Sequence, residues 1–262
     1  MLTDTHCHLD DEQFTEDLDA VIERARAVDI GFILDPGVNA EASARAVEIS
    51  ETYDIVYAAV GYHPSDCVDF DAARHIPMIR QWAEHPKVLA IGEIGLDYYY
   101  DDGAPRDVQK RVFETQVGLA GELGLPIIVH DRDAHGDALA IVKANLNQEA
   151  SGVFHCYGGS VEMARELLDM GLYLGFDGPL TFKNARKAPD VVAYAPADRL
   201  LIETDSPYMA PVPLRGRRNE SSYIVHIAAK MAEYKNISVD DMIRITTENA
   251  NRLFRFDTAC AS

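Results

Sequence analysis

Short apolar runs and longer amphipathic segments alternate along the chain. Eight runs, at residues 2–8, 31–35, 55–60, 88–93, 126–130, 152–155, 171–176 and 200–204, are rich in Val, Ile, Leu or Tyr and mostly bounded by Gly, Pro or Asp. Runs of this length and make-up predict buried strands. Between them, residues 17–28 place Leu18, Val21, Ile22 and Ala25 on one helical face, and residues 106–123 and 160–170 behave similarly. Repeated strand-then-helix units predict parallel strands covered by helices, and eight of them predict an α/β fold, a (β/α)8 TIM barrel. Ser238, with Asp241 three residues on, begins a capping-box-like segment that runs through Ile243, Ile245 and Ala250 to Leu253 and Phe254. It reads as the last barrel helix. Residues 207–218 are irregular and rich in Pro and Arg, and a barrel places them over the face onto which the strand C-termini open.

The chain has 262 residues, which suits one barrel of about 250, so a single domain over residues 1–262 is expected. No stretch approaches the ~20 apolar residues of a membrane span. The opening Met-Leu-Thr-Asp-Thr-His has neither a basic nor an apolar signal region, so a cytoplasmic protein with no membrane partner is expected. Cys7, Cys67, Cys156 and Cys260 form no C-x-x-C pair and read as isolated thiols, and the residues around Cys260 are expected to fray. A net charge of −19 counts against broad, sequence-independent adhesion to DNA. Basic residues nonetheless gather at Lys183, Arg186, Lys187, Arg199, Arg215, Arg217 and Arg218, opposed only by Asp190, Asp198, Glu203 and Asp205.

Polar residues recur at the C-terminal ends of the apolar runs: His6 and His8 at the first, Glu93 at the fourth, His130 at the fifth, His155 at the sixth and Asp205 just past the eighth. All strand C-termini of a parallel barrel open on one face, so these residues converge without being close in sequence. Residues i and i+2 of a strand share a side, so His6 and His8 can grip one ion while Cys7 points away. One histidine at a strand end is more often a satisfied polar group than a ligand. The joint pattern of four histidines and two carboxylates points to metal. Imidazole and carboxylate suit Zn, Mn and related divalent cations. His6, His8 and Asp205 can hold one ion, His130 and His155 a second, with Glu93 as the bridge. Two ions ~3.5–4 Å apart can polarise a phosphoryl oxygen, activate water and steady a leaving oxygen. Asp205 can also take a proton from the attacking water.

The segments Thr3-Asp4-Thr5-His6-Cys7-His8-Leu9-Asp10, Gly61-Tyr62-His63-Pro64, Gly92-Glu93-Ile94-Gly95-Leu96-Asp97-Tyr98, His130-Asp131-Arg132-Asp133-Ala134, His155-Cys156-Tyr157-Gly158-Gly159 and Leu201-Ile202-Glu203-Thr204-Asp205-Ser206-Pro207-Tyr208 occur in this order. Together they resemble the TatD family of metal-dependent deoxyribonucleases, within the amidohydrolase-like barrels. The resemblance implies a hydrolase that uses two divalent metal ions (Mg, Mn or Zn) on the six ligands named, with 3′-to-5′ exonuclease activity on DNA in some members. Other relatives act on D-aminoacyl-tRNA.

His63, Arg132 and Arg215 are candidate substrate or phosphate contacts. A turn histidine, an exposed salt bridge and a solvated charge cluster are the plainer readings. Tyr98, Tyr99, Tyr100 and Tyr157 offer stacking faces, though packing against loops is the commoner use. Two positions depart from the family's habit: Asp177 stands where a small hydroxyl residue is usual, and Leu214 where His or Tyr is frequent. Two rival readings stay open, a metal hydrolase for another ester or amide class and a non-catalytic nucleic-acid binder. No obligate protein partner is evident.

Overall fold

The computed structural model describes residues 1–100, 103–147 and 151–256. The expected fraying around Cys260 lies outside them. Each apolar run carries a strand: β1 (Leu2–Asp4), β2 (Ile30–Pro36), β3 (Val56–Val60), β4 (Val88–Asp97), β5 (Ile127–Arg132), β6 (Gly152–Phe154), β7 (Tyr173–Phe176) and β8 (Leu200–Ile202). They form one sheet in chain order, every hydrogen-bonded pair parallel. Helices α1 (Leu18–Ala27), α2 (Ala40–Thr52), α3 (Ala72–Ala83), α4 (Arg106–Leu123), α5 (His135–Asn145), α6 (Val161–Asp169) and α7 (Lys187–Tyr194) separate the strands, and α8 (Ile224–Lys235) and α9 (Val239–Phe254) follow β8. This is the expected (β/α)8 barrel.

Two hydrophobic clusters reflect the period of two along each strand. Phe32, Leu34, Tyr57, Ala59, Ile128, Val153, Tyr173 and Leu201 pack with Leu253, Phe254 and Phe256. Their sequence neighbours Ile33, Val56, Ala58, Ile127, Val129, Phe154, Leu174 and Leu200 join the cluster that includes the helix faces, among them Val21, Ile22 and Ala25 of α1. Ser238 caps α9, accepting from the Asp241 amide at 3.0 Å. One helix more than the pattern suggested lies after β8. Helix α8 packs against α7, and α9 reaches β1 and β8.

Buried glutamines on α4 hold the loops that lead to the open face. Gln116 accepts from the Tyr62 amide (2.8 Å) and donates to its carbonyl (3.0 Å), and Gln109 does the same for Asp97 (2.9 and 3.0 Å). Among the described residues no helix is long and apolar enough to cross a membrane. Cys7, Cys67 and Cys156 are free thiols.

The first run was expected as strand over residues 2–8, but its regular ladder stops at Asp4, and β8 stops at Ile202. Past those ends the two segments still meet. Thr5 N donates to Ile202 O (3.2 Å), Asp205 N to His6 O (2.9 Å) and His8 N to Ser206 O (2.8 Å), around an isolated Cys7–Ser206 bridge. The fully buried Asp4 carboxylate accepts from Thr204 N (2.9 Å) and Thr204 Oγ1 (2.7 Å). The stretch bearing His6 and His8 is therefore the stretch that brings the first strand to the last.

Replacing Asp4 by Ala strands the Thr204 hydroxyl in a dry environment and leaves its amide only the 3.4 Å contact with His6 O. Asp4→Ala is expected to lower the unfolding free energy by about 2–3 kcal/mol. The measurement is a urea titration showing a lower midpoint at unchanged m-value.

Candidate metal centre

Strand β4 supplies the centre's pivot. Its register against β5 slips between Ile91 and Ile94, and Glu93 lies in that slip, 3% exposed. The apolar run suggested that the strand ends at Glu93, but it continues to Asp97. Gly95 permits this: at φ +149° any Cβ would sit 1.9 Å from the His130 carbonyl oxygen. The extension delivers Asp97 to the same face.

The two oxygens of Glu93 serve different imidazoles. Oε2 lies 3.4 Å from His6 Nε2 and 3.5 Å from His8 Nε2. Oε1 lies 2.8 Å from His130 Nδ1, 2.9 Å from His155 Nε2 and 3.8 Å from His63 Nε2. Asp205 joins the Oε2 side, its Oδ1 3.8 Å from His6 Nε2 and 3.6 Å from His8 Nε2. The six residues expected from the strand-end pattern thus converge: Asp205 meets His6 and His8, and His6, His8, His130 and His155 meet the Glu93 carboxylate. His63, expected as a substrate contact, points at the same carboxylate.

The spacing on the Oε2 side fits an ion. A cation bound tetrahedrally at ~2.1 Å needs ligand atoms ~3.4 Å apart. His6 Nε2 and His8 Nε2 lie 3.2 Å apart, and each lies 3.4–3.8 Å from Glu93 Oε2 and from Asp205 Oδ1. The two Nε2 atoms face each other at 3.2 Å, an arrangement a shared cation explains better than a hydrogen bond between rings. On the Oε1 side, His63 Nε2, His130 and Glu93 also group at ligand spacing.

Electrostatics agree with this division. Burial pushes the Glu93 carboxyl up, but His155, His6 and His63 and the hydrogen bond with His130 outweigh it and hold it well below the usual range. Burial likewise opposes ionisation of Asp205, and the hydrogen bond from His8 with the nearby imidazoles overcomes it. Burial and the neighbouring His130 pull His63 down to about 3, so its imidazole is neutral; its Nδ1 accepts from the Ser65 amide at 3.1 Å, which leaves the proton on Nε2, towards Glu93.

A second layer of carboxylates holds the rings. Asp97 Oδ2 takes His130 Nε2 at 3.0 Å, while its Oδ1 is fixed by the Tyr99 amide at 2.9 Å. Glu203 is fully buried; its Oε1 accepts from the Cys156 amide at 2.5 Å and lies 3.5 Å from His155 Nδ1. Gly175 makes room, since a Cβ there would lie 2.4 Å from Glu203 Oε2. Such partners fix a ligand's tautomer and direction. Neither Asp97 nor Glu203 was singled out from the sequence. The available signal was Glu203's position two residues after the inward-facing Leu201.

Other expectations divide. Arg132 lies at the rim, its guanidinium 3.8 Å above the Tyr99 ring and 5.1 Å from that of Tyr100, both tyrosines about half exposed. Tyr98 and Tyr157 are packed, donating to Asp137 (2.8 Å) and to Ser160 O (2.8 Å). Arg215 is exposed and stacks on Phe182 at 4.1 Å, away from the walls of the two cavities that meet at the centre. Arg218 is spent on Asp17, with two hydrogen bonds of 2.7 Å. Asp177 is buried, and burial with the charges of Asp205 and Glu203 pushes its carboxyl well above the usual range.

Comparison with known proteins identifies the family. Residues 3–255 match the family described as TatD related DNase. The chain belongs to the TatD family. YabD of Bacillus subtilis, named an uncharacterized metal-dependent hydrolase, is 48% identical over 98% of this chain and 100% of its own length. The 3′-5′ ssDNA/RNA exonuclease TatD of Klebsiella pneumoniae is 34% identical over 97% of this chain and 98% of its own. The crystal structure of YjjV, a TatD homologue of Escherichia coli, matches with a TM-score of 0.91 at 31% identity, covering 98% of each chain. This TatD-family protein is a metal-dependent hydrolase.

Glu203→Ala removes the buried carboxylate that lies 3.5 Å behind the His155 ring without touching a proposed ligand. Divalent-cation affinity is expected to fall about 10–100-fold. Titration calorimetry reads the affinity, and an unchanged far-ultraviolet dichroism spectrum shows that the fold is kept.

Proposed function

We propose that the protein hydrolyses phosphodiester bonds in single-stranded nucleic acid, with DNA as the first substrate, using two divalent cations. The observation that carries the reading is the split of Glu93, one oxygen facing His6 and His8, which Asp205 also approaches, and the other facing His130 and His155. His6, His8 and Asp205 would hold one ion and His130 and His155 the other, with Glu93 shared between the two sets. Divalent cations in such a pair supply Lewis acidity to a phosphoryl oxygen and lower the pKa of water.

The protein's own groups do the rest. Glu93 and Asp205 stay ionised in a buried site because imidazoles surround them. Asp205 accepts a proton from the attacking water. Arg132, at the end of the strand that carries His130 and stacked on Tyr99, offers a planar donor to a phosphate oxygen. Water adds across the bond, its oxygen to phosphorus and a proton to the leaving oxygen. The nuclease names of relatives such as the Klebsiella TatD support a nucleic acid as substrate.

Metal-stripped protein given back Mg, Mn or Zn is expected to shorten end-labelled single-stranded DNA in a ladder. Asp205→Asn is expected to lower kcat at least about 100-fold. DNA left intact under every metal, while a simple carboxylic ester is turned over, would move the activity to the ester-hydrolase reading.

A further inference from the structure

Two cavities meet at the metal centre and share His130, His155 and Asp205 as a common wall. They differ in charge. The first, of about 300 Å³, is lined by Asp10, Asp11 and Asp66 and, among the described residues, by no lysine or arginine. Two of these carboxylates are pinned in place. Asp11 accepts from Tyr208 Oη at 2.6 Å and from the Gln13 amide at 2.8 Å, and Asp66 from Asn39 Nδ2 at 2.9 Å. The second cavity, of about 320 Å³, carries two cations, Arg132 and Lys187, beside Asp131, engaged by His135 at 2.8 Å, and the exposed Asp133.

The aromatic surfaces are divided in the same way. Tyr208, 48% exposed, stands on the wall of the first cavity, its ring edge-on to His8. On the other side Tyr99 and Tyr100 lie beside Arg132. One cavity therefore offers a stacking face and acceptors but no cation, and the other offers cations with an aromatic shelf next to them.

We propose that the first cavity receives the terminal nucleoside of a strand, entering with a free hydroxyl, and that the second receives the strand behind it. The inference rests on the nuclease reading above. A chain continuing beyond the first cavity, or a terminal phosphate, must place negative charge among carboxylates that cannot swing away. Like charges a few ångströms apart repel strongly in a partly desolvated pocket. A neutral hydroxyl meets hydrogen-bond acceptors instead. Arg132 and Lys187 then take the backbone phosphates on the upstream side.

This arrangement makes the enzyme an exonuclease specific for hydroxyl ends. With the 3′-5′ polarity named for relatives, the end is the 3′ end. Hydrolysis joins the water oxygen to the phosphorus behind the terminal nucleoside and breaks the P–O3′ bond, and the departing O3′ takes a proton. The products are a nucleoside 5′-monophosphate and a shortened strand that again ends in a hydroxyl. Breaking the P–O5′ bond instead would leave a terminal phosphate and stop the enzyme after one turnover.

The test compares one 5′-labelled single-stranded DNA bearing a 3′-hydroxyl, the same DNA bearing a 3′-phosphate, and a circular single strand, all with Mn-loaded protein. The hydroxyl form is expected to yield a ladder and nucleoside 5′-monophosphates, the phosphate form to react at least about tenfold more slowly, and the circle to stay intact. Anisotropy with Mn-loaded Asp205→Asn protein is expected to rank binding of the two linear forms in the same order. The double variant Asp11→Asn/Asp66→Asn is expected to narrow the gap between the hydroxyl and phosphate forms, in turnover and in binding alike. If no DNA is cut, the nuclease reading itself fails. If the circle is nicked, if both ends react alike, or if the double variant discriminates as before, the nuclease reading stands and the assignment of the cavities is overturned.

Discussion

A carboxylate removed from water needs compensation at both of its oxygens. Glu93 finds it on two sides, in imidazoles that come from four different strand ends and loops. That requirement organises the active face. The slip in the β4–β5 register brings Glu93 among the rings, and the continuation of β4 brings Asp97 behind His130. Because each oxygen of Glu93 has its own imidazoles, the same residue that neutralises the pocket also divides its histidines into the two sets proposed to hold cations.

Barrel closure and the site are one structure. The carbonyl of His6 receives the Asp205 amide, and Ser206 O receives that of His8, so the pairs joining the first and last strands also set the spacing of three proposed ligands. Asp4, buried beneath them, fixes Thr204 and through it the turn that presents Asp205. Asp205 itself sits at φ +56°, in the left-handed region that few residues other than glycine adopt, an outlier of the kind that gathers at functional sites.

Much of this was legible in the sequence, for reasons that differ by element. Alternating burial is a local property, so each apolar run located its strand. Strand ends depend on pairing partners, which are remote: β1 and β8 stop early because the chain there turns to the seam, whereas β4 overruns Glu93 because Gly95 lets it lie against β5. The convergence of His6, His8, Glu93, His130, His155 and Asp205 followed from topology alone, since parallel strands open on one face. The supporting carboxylates Asp97 and Glu203 were opaque, because their role depends on which ring nitrogen lies nearby in space. Arg215 shows the converse. A run of basic residues carries no direction, and the loop after β8 lays this one on Phe182.

The central claim is that Glu93 joins two cations, and anomalous diffraction from Mn-soaked crystals tests it most directly. Two peaks flanking Glu93 are predicted, one beside Oε2 with His6, His8 and Asp205, the other beside Oε1 with His130 and His155. A single peak, or two peaks of which neither contacts Glu93, would contradict the account.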